Sequence, residues 1–172
     1  VSRSLVLALC AVSLVACNPA LNWREVHLQG LVATLPCKPD QAQRTVQLAA
    51  QDVAIDMRGC EADGALFAIS HVRLDSATRT DAARADWRQQ TLAAMRAASV
   101  RELPFRLKPT AHAGVTPANH LLTAQGQRPD GSAVAARLLW LDAGQDLYHV
   151  AVYANTLTDE RVEMLFSGLS LQ

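Results

Sequence analysis

The sequence predicts an α+β domain: an antiparallel sheet of about six strands with two main helices packed on it. Three observations predict this class. The stretch "DVAIDMRGC", residues 52–60, puts Val53, Ile55 and Met57 on one face and Ala54, Asp56 and Arg58 on the other. A period of two over that length is the mark of a half-buried strand. Between Thr80 and Ser99 the period changes: Ala83, Trp87, Thr91, Ala94, Met95 and Ala98 recur at three- and four-residue steps, as on an amphipathic helix. The order along the chain is strands, helix, strands, helix, which separates the two kinds of element instead of alternating them.

Each element follows from local chemistry. "LVATL", Leu31 to Leu35, reads as a brief strand stopped by Pro36 and Pro39, and "RTVQL" follows it. Asp63-Gly64 is a hairpin signal, since glycine accepts the positive φ of a tight turn, and "ALFAISHVRL" is the returning strand. Thr80 is an expected N-cap, with Asp81 in the first turn and Trp87 as the main anchor of the helix. Residues 103–117 hold Pro104, Pro109, Gly114 and Pro117, so an irregular crossover is expected, with a short edge strand near Phe105 to Leu107. "ANHLLTAQG", "AVAARLLWLD" and "DLYHVAVYA" form a meander through turns at Pro129-Asp130-Gly131 and Gly144. The last helix starts at Thr158, with Val162, Leu165, Phe166 and Leu169 facing inward.

The start of the chain has a different character. Arg3 precedes an apolar stretch from Leu5 to Ala16. Twelve helical residues span about 18 Å, well short of a bilayer's roughly 30 Å hydrocarbon core, so the pattern is that of a secretory signal peptide. Leu14, Val15, Ala16 and Cys17 resemble the lipobox of bacterial lipoproteins. The resemblance implies that Cys17 carries a lipid and becomes the new amino terminus. Asn18, a residue other than Asp, implies sorting to the outer membrane, with the domain on the periplasmic face. Residues 1–16 are then the signal peptide, 17–30 the lipidated N-terminus and tether, and 31–172 a single periplasmic α+β domain. Trp23 lies six residues from the lipid, where it could sit at the membrane interface or pack on the domain.

Four cysteines are present: Cys10, Cys17, Cys37 and Cys60. With Cys10 in the signal peptide and Cys17 carrying lipid, one pairing remains, and the oxidising periplasm favours a Cys37–Cys60 disulfide. Neither cysteine stands in the Cys-x-x-Cys spacing of a redox or metal pair. A loop of about 24 residues closed this way stabilises by roughly 3.5 kcal/mol in the chain-entropy model.

Residues 31–172 also resemble the PsbP-like fold, through a strand ending in Leu-Pro-x-x-Pro, a hairpin, a long helix, a three-strand meander and the closing "LFSGLSL". That resemblance implies an assembly or accessory role and no single chemistry. The formal net charge is zero, which gives no sign of a nucleic-acid partner. No Gly-x-Ser-x-Gly elbow, His-Glu-x-x-His, phosphate-binding glycine loop or Cys-x-x-Cys occurs, so no catalytic residue, metal ligand or cofactor is nominated.

Of the five histidines, His27, His71, His112, His120 and His149, three fall on expected strands: His71, His120 and His149. They would bind a metal only if those strands brought them together; separate, singly satisfied sheet residues are the plainer expectation. Arg79, Arg84, Arg88, Arg96 and Arg101 on and beside the long helix read as a solvated face, tempered by Asp81, Asp86 and Glu102. Trp87, Trp140, Phe67, Tyr148, Tyr153 and Phe166 read as core. The expectation is a membrane-anchored binding or accessory module of the envelope, its partners the membrane through its lipid and an envelope protein or cell-wall polymer. An envelope enzyme and a small-ligand or metal carrier are the alternatives: a cleft gathering a nucleophile, a base and an orienting group would favour the enzyme, and an apolar cavity or converged histidines the carrier.

Overall fold

A computed structural model describes residues 21–107 and 118–172. The signal segment 1–16, Cys17, Asn18, His112 and most of the expected crossover lie outside the described residues.

The chain is α+β, with antiparallel sheets and two helices. A short hairpin comes first: β1 (Arg24–Leu28) and β2 (Leu31–Leu35). Then follow β3 (Asp40–Leu48), β4 (Gln51–Ala62) and β5 (Ala65–Arg73), and a single 3-10 turn, Ala77–Arg79, that leads into α1 (Thr80–Ala94). The second half holds β6 (Ser99–Leu103), β7 (Ala118–Gln127), β8 (Ala133–Ala143), β9 (Asp146–Ala154), α2 (Asp159–Ser167) and β10 (Ser170–Leu171). Seven strands form one sheet in the order β3-β4-β5-β9-β8-β7-β6, and three form a second in the order β1-β2-β10. Among the described residues no helix is long and apolar enough to cross a membrane.

The structure corrects the expected arrangement in four places. Instead of one sheet of about six strands there are two sheets, because β1 and β10 pair with β2 and split it from the hairpins that follow. Residues 24–28, expected to be tether, are β1, with Val26 and Leu28 buried against the domain. The edge strand is Ser99–Leu103, ahead of Phe105 to Leu107, and α1 accordingly ends at Ala94. Thr80 lies inside the first turn; its hydroxyl donates to the Gly144 carbonyl and does not cap the helix.

Side-chain alternation gives the large sheet two buried faces. On the first, Phe67, Ile69, Leu139, Leu141, Val150 and Val152 meet the small sheet and α2, whose Val162, Leu165 and Phe166 are buried. Cys37 and Cys60 are joined by a disulfide with Cα atoms 6.0 Å apart, tying the segment after β2 to β4. The Tyr148 hydroxyl donates to the Gln29 carbonyl in the β1–β2 turn and fixes the other end of the same contact. On the second face, α1 lies over Val53, Ile55, Val72, Leu138, Trp140 and Ala151 through Ala83, Trp87 and Met95. The end of α1 is held where it meets β7: the Met95 carbonyl accepts from the Gln127 amide, and the Ala98 amide donates to Gln125. Gly126 permits that approach, since a Cβ there would lie 2.1 Å from the Met95 oxygen.

Candidate binding trough beside the long helix

The second face of the large sheet is only partly covered by α1, and the part left open is a trough. Its floor is low because the strand pairing brings small residues together. Gly59 of β4 pairs with Ala68 of β5, and Ala68 pairs with Ala151 of β9. The neighbouring row is taller: Met57 opposite Ser70, Ser70 opposite His149, and His149 opposite Trp140. On the other side of the floor stand Leu66 and Tyr153, also a cross-strand pair. Trp87, Thr91 and Met95 of α1 form one wall, and Arg44 of β3 and Arg128 after β7 stand along the lining. The trough encloses about 550 Å³, within the range of sites that hold small molecules.

His149 is the most strongly perturbed group among the described lining residues. It is 7 % exposed, and its ring stacks on Trp140 at 4.5 Å and meets Trp87 at 5.2 Å. Burial among these rings pushes its pKa down to about 3, so the imidazole is neutral at physiological pH. Its Nε2 is enclosed and has no hydrogen-bond partner among the described residues. A buried polar atom left unpaired costs about 1–3 kcal/mol, which marks the position as one where a partner would be accepted. Tyr153, nearby in the lining, is pushed up to about 12 by burial.

Among the described residues the lining carries two guanidinium groups and no carboxylate. Arg128 is engaged: it donates to the Asn155 Oδ1 at 2.7 Å and the Ala133 carbonyl at 2.6 Å, and its charge helps hold Asp130 below the usual carboxylate range after the Ser132 hydrogen bonds. Arg44 is exposed and makes no ion pair among the described residues.

Ser70 and His149 face one another, yet no hydrogen bond joins them, and no carboxylate orients the ring. An imidazole held so far below neutrality is a weak general base.

The three strand histidines do not converge. His71 falls on the opposite face from His149, where its Nε2 bonds Asp146 Oδ1 at 2.8 Å while Arg73 grips both Asp146 oxygens at 2.9 and 3.0 Å. His120 shares a row with His149, but Trp140 stands between them. Among the described residues no group of three His, Cys, Asp or Glu could hold a metal ion. His27 is exposed beside Glu25. The helix arginines are largely paired: Arg79 with Asp75, Arg84 with Asp81 and Asp142, Arg88 with Glu102. Burial raises the Asp142 pKa against the opposing pull of Arg84. Trp23 packs edge-on against Phe67 at 6.2 Å, on the domain. The aromatic set divides by face: Phe67, Tyr148 and Phe166 belong to the first core, and Trp87 and Trp140 to the second.

Sequence reading missed the trough. Its floor residues are ordinary alanines and a glycine, and only the strand register shows that they lie side by side. The signal available was the mixed face of β9, where Leu147, His149, Ala151 and Tyr153 alternate with Tyr148, Val150 and Val152.

No family model matches the chain, and no curated protein matches it. Among solved structures it is similar to PA94 of Pseudomonas aeruginosa, a protein described as of unknown function. The two are 17% identical over 82% of this chain and 88% of that one, with a TM-score of 0.36.

Proposed function

We propose that this chain is a lipid-anchored binding protein of the bacterial envelope, and that its domain takes a small, largely apolar ligand in the trough beside α1. The observation that carries the ligand half is a trough of about 550 Å³ lined mainly by apolar side chains, with the neutral His149 ring and Arg44 among them. Apolar walls with few, well-placed polar groups are the usual make-up of small-ligand sites. The anchor half rests on Leu14, Val15, Ala16 and Cys17, with Asn18 directing the protein to the periplasmic face of the outer membrane. The PsbP-like resemblance of residues 31–172 belongs to the same proposal, because that fold serves mostly accessory roles. A role toward an envelope protein or cell-wall polymer is compatible with it, the ligand then being what the module carries or senses.

Two measurements test the halves separately. Cells fed a clickable palmitate analogue should label the wild-type chain and leave Cys17→Ser unlabelled; equal labelling of both removes the anchor. Native mass spectrometry of protein released gently from its own membranes should show a bound small molecule on the domain. A bare protein mass in every preparation removes the ligand.

A further inference from the structure

The trough's chemistry narrows what it can hold. Its floor and walls are apolar where Ala68, Ala151, Met57, Leu66 and Met95 line it, so the bulk of the occupant is hydrocarbon. Among the described residues the charges in the lining are positive, and Arg44 makes no ion pair there. A guanidinium beside an apolar slot, with no carboxylate in the lining, favours an anionic head and disfavours a cationic one. His149 and Ser70, opposite one another in the lining, put two uncharged side chains between Arg44 and the Ala68–Ala151 floor.

We propose that the occupant is an anionic single-chain amphiphile, its carboxylate or phosphate head at Arg44 and its chain running from there past Met57 and Ser70 onto the Ala68–Ala151 floor. This rests on the trough being the ligand site. A long occupant fits because Arg44, opposite Ile55, lies four residues along the strands from the Gly59–Ala68 pair, and the lining includes both Arg44 and Ala68.

The test uses the full lipidated protein in phosphatidylcholine vesicles and a long-chain carboxylic acid carrying a diazirine at mid-chain. After irradiation the label should map to trough residues, Met57, Leu66 and Met95 foremost. Unlabelled competitors of the same length then separate the claims. The acid and the alkyl phosphate should displace the probe roughly fivefold better than the alcohol or the quaternary ammonium, the size of a partly exposed charge pair. Whichever of the two anions competes better distinguishes a free carboxylate from a phosphate head. Arg44→Gln should erase the advantage of the acid over the alcohol, whereas Arg24→Gln, on the small sheet, should leave it intact. An alcohol that competes as well as the acid, or an Arg44→Gln protein that still prefers the acid, overturns the anionic head. Failure of any analogue to label the trough is a different result: it removes the ligand site itself.

Discussion

The two faces of the seven-stranded sheet are built from the same strands and do opposite things. On the face toward the small sheet, positions along β5, β8 and β9 are filled by Phe67, Ile69, Leu139, Leu141, Val150 and Val152, all fully enclosed. A disulfide and the Tyr148–Gln29 hydrogen bond hold its cover in place. On the face toward α1, one residue out of register along the same strands, stand Ala68, Ser70, His149, Ala151 and Tyr153. There the cover is a single helix, the side chains are small or polar, and a trough remains. Period-two alternation lets one strand serve both purposes, since its two sides answer to different neighbours. The closed face is filled throughout, and the face toward α1 combines a buried core at Val72, Leu138 and Trp140 with an open trough.

The comparison breaks most visibly by removing the largest enclosed ring of the closed face. Phe67→Ala leaves a cavity under Trp23 and the small sheet and should cost about 4 kcal/mol. Denaturant unfolding measures it, and a loss below about 1 kcal/mol would mean that this face is not the main core.

Next in size is an acid effect from the open face. The folded state holds His149 at about 3 where the ordinary histidine value is 6.5, so folding favours the neutral ring. The stabilisation is complete above about pH 6.5 and falls as pH drops toward 3, because the unfolded chain takes up the proton first. By about pH 4 the loss should reach roughly 3 kcal/mol, at 1.36 kcal/mol per pH unit. A His149→Gln variant removes this slope while other groups continue to titrate. Parallel stability curves for the two proteins between pH 7 and 4 would show that the ring is already hydrated in the native state.

A smaller effect sharpens the contrast from the closed side. Tyr148→Phe deletes the hydroxyl that reaches the β1–β2 turn and should cost about 1 kcal/mol. Burial, reinforced by the charge of Asp146, pushes this phenol up to about 12, so the bond persists through ordinary alkaline conditions. Hydrogen exchange in β1 and β2 should quicken selectively in the variant; uniform exchange would place the turn outside the cooperative unit.

How much of this was legible in the sequence depended on whether a feature is local. Alternation in residues 52–60, the Asp63-Gly64 turn and the three-residue periodicity after Thr80 are carried by neighbours in the chain, and each corresponds to an element. The Cys37–Cys60 pairing was reachable because the other two cysteines had been assigned elsewhere. The second sheet was not legible, because Ser170–Leu171 joins β2 across nearly the whole chain and two residues carry no periodicity. Gly126 gave no signal either: its need for a hydrogen side chain comes from the Met95 carbonyl of a helix thirty residues away. The trough is the extreme case, a space produced by register between Gly59, Ala68 and Ala151, none of which is distinctive alone.

The least effect on stability should accompany the largest effect on binding, and Ala68→Leu is the change that separates them. Ala68 is half-buried on the trough floor, with open volume above it, so a leucine there has room for its added carbons. The extra apolar area becomes partly enclosed by Met57 and α1, which offsets the lost rotamer freedom and leaves stability within about 0.5 kcal/mol of wild type. The same carbons occupy the path proposed for the ligand chain, so labelling by the mid-chain diazirine acid should fall at least tenfold. On a closed face the equivalent enlargement would strain the packing and cost roughly 1–3 kcal/mol. A stable Ala68→Leu protein that no longer takes the probe would show that the space is vacant in the free protein and used in the bound one. If the variant is instead destabilised by 2 kcal/mol or more, α1 packs on the floor more tightly than the open-face description allows, and the contrast between the two faces fails at its centre.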